Sequence, residues 1–107
     1  MFILSLTKNR CCENLLTAVS ICLDGLERKS LGKTGESVAA IGLGTWNMGG
    51  RESPDYRDDE RVIQAIRYAV ELGMDHIDTA EMYAAGHAEE LVGEAIKQFS
   101  RDDVFIA

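Results

Sequence analysis

His76-Ile77-Asp78-Thr79-Ala80-Glu81-Met82-Tyr83 decides how this chain is read. The run His76–Ala80 is apolar and branched enough to form a short buried strand. Asp78 lies inside it, and a buried ionised carboxylate is costly unless it is paired or used. Tyr83 follows in the segment leaving the strand. An acid at a strand end with a phenol just beyond it is how an α/β fold sets side chains at the mouth of a sheet. Side chains alternate along a strand. If Ile77 and Thr79 face the helices, Asp78 faces the other way.

Working outward, Asp58 or Asp59 is expected to cap a helix, with Glu60 in its first turn. Val62, Ile63, Ile66, Ala69 and Val70 give that helix one apolar face, and Gly73 ends it. On the other side, Ala88, Leu91, Val92, Ala95, Ile96 and Phe99 define a second amphipathic helix. Gly93 inside it implies close packing, because glycine costs about 1 kcal/mol against alanine there. Ser100-Arg101-Asp102-Asp103 is a turn, and Val104–Ala107 begins another strand. Upstream, Arg28–Leu31 and Glu36–Ala40 form a hairpin around Gly32-Lys33-Thr34-Gly35. A strand follows from Ile41 into Trp46, and the run Asn47–Asp58 is a loop holding the only proline, Pro54.

The order is hairpin, β, α, β, α, β, an α/β arrangement built on a parallel sheet. Parallel sheets normally have both faces covered. With three parallel strands the sheet keeps open edges, so residues 28–107 are expected to be the opening part of a larger fold. Residues 1–27 read as a separate extension, with an amphipathic helix expected over 11–26. Lys8 and Arg10 before Leu15–Leu23 resemble a signal peptide only superficially, since Glu13 and Asn14 interrupt the apolar run.

The 107 residues bound the chain at one small domain, and 46% hydrophobic with 27% charged content is ordinary for a globular protein. The formal net charge of -7 disfavours nucleic acid and anionic membrane as partners. Asp55, Asp58, Asp59 and Glu60 are read as a solvated cluster. The three cysteines, Cys11, Cys12 and Cys22, give no disulfide framework or zinc spacing, which fits a reducing cytoplasm. No apolar run has the length of a membrane span. His87 reads as an exposed helix-start residue and His76 as the first residue of a strand.

Gly42-Leu43-Gly44 at a strand exit invites comparison with a dinucleotide-binding turn, but the third glycine of that pattern falls on Asn47. The glycines instead let the backbone pass close to a ligand or to a neighbouring strand.

Four pieces together resemble the aldo-keto reductase family. They are Arg28–Gly35, Gly42-Leu43-Gly44-Thr45-Trp46, Asp78-Thr79-Ala80-Glu81-Met82-Tyr83 and Glu89-Glu90-Leu91-Val92-Gly93. The resemblance runs from about Arg28 onward. It implies the N-terminal part of a TIM (β/α)8 barrel, a fold of roughly 250 residues with its active site at the carboxyl ends of the strands. It implies reduction of aldehydes and ketones with NADPH, or less often NADH, on small carbonyl substrates. The family's catalytic set is Asp, Tyr, Lys and His, and on this sequence Asp78 and Tyr83 match the first two. Gly44, Thr45, Trp46 and Asp78 match positions near the nicotinamide, and Trp46 and Tyr83 the substrate pocket. Ala84 departs from the family, where glycine is common.

A phenol ionises near pH 10 and is a poor acid at neutral pH, unless a neighbouring ammonium favours the phenolate. The matching lysine is expected just beyond Val104–Ala107. These residues alone are therefore expected to be inactive as a reductase. The alternative is a non-catalytic binding module derived from the same fold.

Overall fold

The computed structural model describes residues 25–107. The helix expected over 11–26 lies outside the described residues but for Gly25 and Leu26. Two small sheets, two α-helices and two short 3-10 helices make up the described part. A hairpin comes first, with β1 at Arg28–Ser30 and β2 at Ser37–Ala39, paired antiparallel with Lys29 opposite Val38. Its loop uses Gly32 and Gly35 at φ values of 56° and 87°, a region that favours glycine.

Next come β3 (Leu43–Gly44), helix α1 (Asp59–Glu71), β4 (His76–Asp78), helix α2 (His87–Ile96) and β5 (Phe105–Ile106). The three later strands form one parallel sheet in the order β3-β4-β5. The expected alternation of strands and helices is therefore present, although the strands are shorter than the apolar runs that contain them.

The two helices pack on one face of this sheet. Ile63 and Ile66 of α1, Ile77 of β4, Leu91, Val92 and Ala95 of α2, and Val104 form the core. Ile66, Ile77 and Ala95 are wholly buried. The apolar stripes read from the sequence are thus the faces that the helices bury. Gly73 takes the left-handed conformation at the end of α1. Its N–H donates to the Val70 carbonyl and that of Met74 to the Ala69 carbonyl, the paired bonds of a glycine-terminated helix.

At the other end of α1 the expected cap is absent. Asp58 occupies the capping position, but its side chain makes no capping hydrogen bond. Gly93 also departs from expectation. It is exposed on α2, and an added Cβ would meet no atom within 4 Å. Gly93→Ala is therefore expected to stabilise the fold by about 1 kcal/mol, the helix-propensity difference. A denaturant midpoint unchanged or lowered in that variant would contradict the exposed placement.

The hairpin is tied to the amino end of the sheet by Asp75, the residue before β4. One carboxylate oxygen accepts from Arg28 Nη1 at 2.5 Å and the other from the Ala39 N–H at 3.1 Å. Arg28 also donates to the Ser37 carbonyl. With the amino end occupied in this way, the carboxyl ends of β3 and β4 are left facing the loops that follow them.

Candidate active site

Alternation along β4 settles the direction of Asp78. Ile77 is wholly buried among the helices, and Asp78 is exposed on the opposite face. Thr79 returns toward the helices, and its hydroxyl is buried with no hydrogen-bond partner among the described residues. Gly44 is the register partner of Asp78 in the parallel pair, so the two share a face. A Cβ on Gly44 would meet nothing within 4 Å, which leaves open backbone beside the carboxylate. Gly42 has a different reason to be glycine. A Cβ there would lie 2.8 Å from the His76 carbonyl oxygen and 2.9 Å from its ring nitrogen. One glycine admits the neighbouring strand, and the other leaves space on the inner face.

Thr45 follows Gly44 and is wholly buried. Its N–H and its hydroxyl both donate to the Asp78 carbonyl oxygen, at 3.0 and 2.9 Å. Its side chain is thus committed to locking the ends of β3 and β4 together. Trp46 emerges beyond it, 59% exposed. The indole meets Tyr83 edge-on, with ring centroids 4.9 Å apart and planes at 87°. Such T-shaped pairs contribute about 0.5–1.5 kcal/mol beyond their area burial. Asp78, Gly44, Trp46 and Tyr83 thus gather at the carboxyl ends of β3 and β4.

The backbone after Tyr83 is strained. Ala84 and Ala85 take φ values of 51° and 54°, and Gly86 takes 96°. Non-glycine residues pay roughly 1–2 kcal/mol each for the left-handed region. Such strain concentrates at functional sites. Ala84 is wholly buried, and its N–H donates to the Arg51 carbonyl at 2.8 Å. The loop after β3 is therefore bonded to the loop that carries Tyr83.

The loop after β3 is itself closed. The Asp55 N–H donates to the Gly49 carbonyl at 2.7 Å, and Gly50 bridges to Pro54. Arg57 donates to both carboxylate oxygens of Asp55, at 2.8 and 2.5 Å. The Arg57 hydrogen bond holds the Asp55 carboxyl down to about 2. Asp59 is engaged as well, against His87. The acidic cluster is thus only partly a solvated one.

His87 corrects the sequence reading. It is buried, with 6% exposure, rather than an exposed helix-start residue. Nothing local in the sequence signals this, because Gly49, Tyr56 and Asp59, which cover the ring, come from the loop and from α1. His76 does begin β4, and its ring stands edge-on to Phe105 at 5.7 Å.

The family model of the Aldo/keto reductase family matches residues 40–107. The chain belongs to this family. The aldo-keto reductase YhdN of Bacillus subtilis (strain 168) is 42% identical over 83 residues, covering 77% of this chain and 25% of YhdN. The methylglyoxal reductase YeaE of Escherichia coli (strain K12) is 44% identical over 82 residues, covering 76% of this chain and 27% of YeaE. The chain thus spans about a quarter of the length of these curated relatives.

Among solved structures, the thermostable aldo-keto reductase Tm1743, in complex with the inhibitor epalrestat, superposes with a TM-score of 0.73. It is 53% identical, with 76% of this chain and 30% of that one covered. An aldo-keto reductase from Klebsiella pneumoniae in complex with NADP and acetate superposes with a TM-score of 0.56. It is 48% identical, with 64% and 22% covered. The described part of this chain is accordingly an N-terminal portion of the family's (β/α)8 barrel. Among the described residues no helix is long and apolar enough to cross a membrane.

Proposed function

We propose that residues 28–107 supply the Asp–Tyr half of an NAD(P)H-dependent reductase of aldehydes and ketones, with residues 1–27 as an extension. The observation that carries this reading is the edge-on contact of Trp46 with Tyr83 at the strand ends where Asp78 is exposed. The exposed indole of Trp46, the open backbone at Gly44 and the Asp78 carboxylate fit the nicotinamide end of NADPH, with NADH as the lesser alternative. Bound there, the nicotinamide would supply a hydride. Thr45 contributes by holding the Asp78 carbonyl rather than by a free hydroxyl.

In this reading the Tyr83 hydroxyl gives its proton to the carbonyl oxygen as that oxygen gains charge. Asp78 holds the ammonium of the family's lysine, which favours ionisation of the phenol. The Ala107 N–H donates to the Ile77 carbonyl, and the Ala107 carbonyl accepts from the Thr79 N–H. These bonds carry β5 up to the level of Asp78, so a lysine just past it arrives beside the carboxylate. Trp46 and Tyr83 wall the pocket for a small carbonyl substrate. The cysteine pattern supports a cytoplasmic setting.

Without that ammonium the phenol is a poor acid. The purified 107-residue polypeptide is therefore expected to give no carbonyl-dependent NADPH oxidation above background. Robust turnover that follows the polypeptide through purification would overturn the assignment of roles.

A further inference from the structure

His87 lies at the junction of the two loops that present Trp46 and Tyr83. Its Nδ1 is 2.8 Å from Glu90 Oε2, one turn on in α2, and its Nε2 is 2.9 Å from Asp59 Oδ1 in the first turn of α1. The Tyr56 ring covers it at 4.4 Å, tilted by 56°. Gly49 lies against its edge. A Cβ on Gly49 would fall 2.7 Å from the imidazole Cδ2 and 2.7 Å from Leu91 Cδ1, and φ there is +73°. Gly49, Tyr56 and Asp59 belong to the segment that follows Trp46. His87 and Glu90 belong to the helix that follows Tyr83. The Ala84 N–H to Arg51 carbonyl bond is a second link between the same two segments.

The geometry requires a charged ring. Ionised carboxylates only accept hydrogen bonds, and a neutral imidazole has a single N–H. With a carboxylate against each nitrogen, both nitrogens must donate. Loss of a proton leaves one ring lone pair facing carboxylate lone pairs. The Glu90 hydrogen bond raises the imidazole pKa above its ordinary 6.5, burial opposes this, and Asp59 adds to the rise.

We propose that His87 is a proton-dependent positioning residue, whose imidazolium clamps the Trp46-bearing loop to the start of the Tyr83-bearing helix and so sets the Trp46–Tyr83 wall. The proposal rests on that pair being the wall of the site, but its test reads the pair itself and needs no turnover. The sign follows from the raised pKa. The clamp is fully closed below about pH 6.5, the ordinary value for histidine, and loosens as pH rises through the raised folded value.

Trp46 is the only tryptophan, so its emission reports the pair directly. The experiment is a fluorescence titration of the whole chain from about pH 5.5 to 9, below the ordinary range of tyrosine, with far-UV circular dichroism recorded alongside. One transition is expected, with its midpoint above 6.5 and with constant secondary structure. His87→Gln should abolish it. Glu90→Gln, at an exposed carboxylate with 74% side-chain exposure, keeps the fold and should move the midpoint to lower pH. His76→Gln should leave it in place, which separates the two histidines. Flat Trp46 emission in the unaltered chain would overturn the proposal. So would a transition that survives His87→Gln, or a midpoint unmoved by Glu90→Gln. A chain inactive as a reductase would leave this result unaffected, so the two failures are distinct.

Discussion

Ile77→Ala is expected to destabilise the protein by roughly 2–5 kcal/mol, the range for truncating a buried isoleucine. Ile77 is wholly buried and lies in the core with Ile63 and Ile66 of α1 and Leu91 and Val92 of α2. Few side chains are large enough to fill that volume, because the helices contribute alanines at Ala69, Ala88 and Ala95. A native domain holds only about 5–15 kcal/mol in total, and a short chain sits low in that range. The variant should therefore lose much of its cooperative transition in urea. The control is the next residue. Asp78→Asn, on the exposed face, should stay within about 0.5 kcal/mol of the unaltered chain. A mild Ile77→Ala, or a severe Asp78→Asn, would reverse the two faces of β4 and turn the proposed catalytic carboxylate toward the helices.

Tyr83→Phe should have the largest effect on chemistry. It is measured in a complete barrel, made by replacing the matching segment of a full-length relative such as the thermostable reductase with residues 28–107. In that chimera, kcat is expected to fall by roughly 10²–10⁴-fold, the contribution of one positioned general acid. KM should change much less, because phenylalanine preserves the edge-on contact with Trp46. Equal losses in Trp46→Ala and Tyr83→Phe, both expressed in KM, would make Tyr83 a wall residue only.

Much of this was legible in the sequence because the controlling signals are local. The three-and-four spacing of Ile63, Ile66 and Leu91, Ala95 predicts the buried helix faces. The alternation through Ile77 and Asp78 predicts which side each residue faces. Gly32 and Gly35 mark the hairpin loop, and Gly73 the end of α1. The grouping of Asp78, Trp46 and Tyr83 also follows, since parallel strands place their exits at one end of a sheet.

The features that were not legible depend on groups brought together from different segments. His87 is buried because Gly49, Tyr56 and Asp59 close over it, and no window around His87 contains them. Gly93 has a helical address and an open surface, and only the packing distinguishes that from a crossing point. Asp58 has the residue type of a cap, yet it lies 3.5 Å from Arg61 and leaves the helix amides alone. Ala84 was visible as a departure from the family's glycine. Its meaning appears only with the φ of 51°, a left-handed conformation that glycine adopts more readily than alanine.

We propose that Asp78, Trp46 and Tyr83 form a working half of a carbonyl reductase site. Carbonyl-dependent NADPH oxidation by the chimera tests it most directly, with folding checked by thermal melting. Turnover is expected within about tenfold of the parent enzyme, a margin of about 1.4 kcal/mol in barrier height. A chimera that melts cooperatively and binds NADPH but reduces no carbonyl substrate of its parent would contradict it.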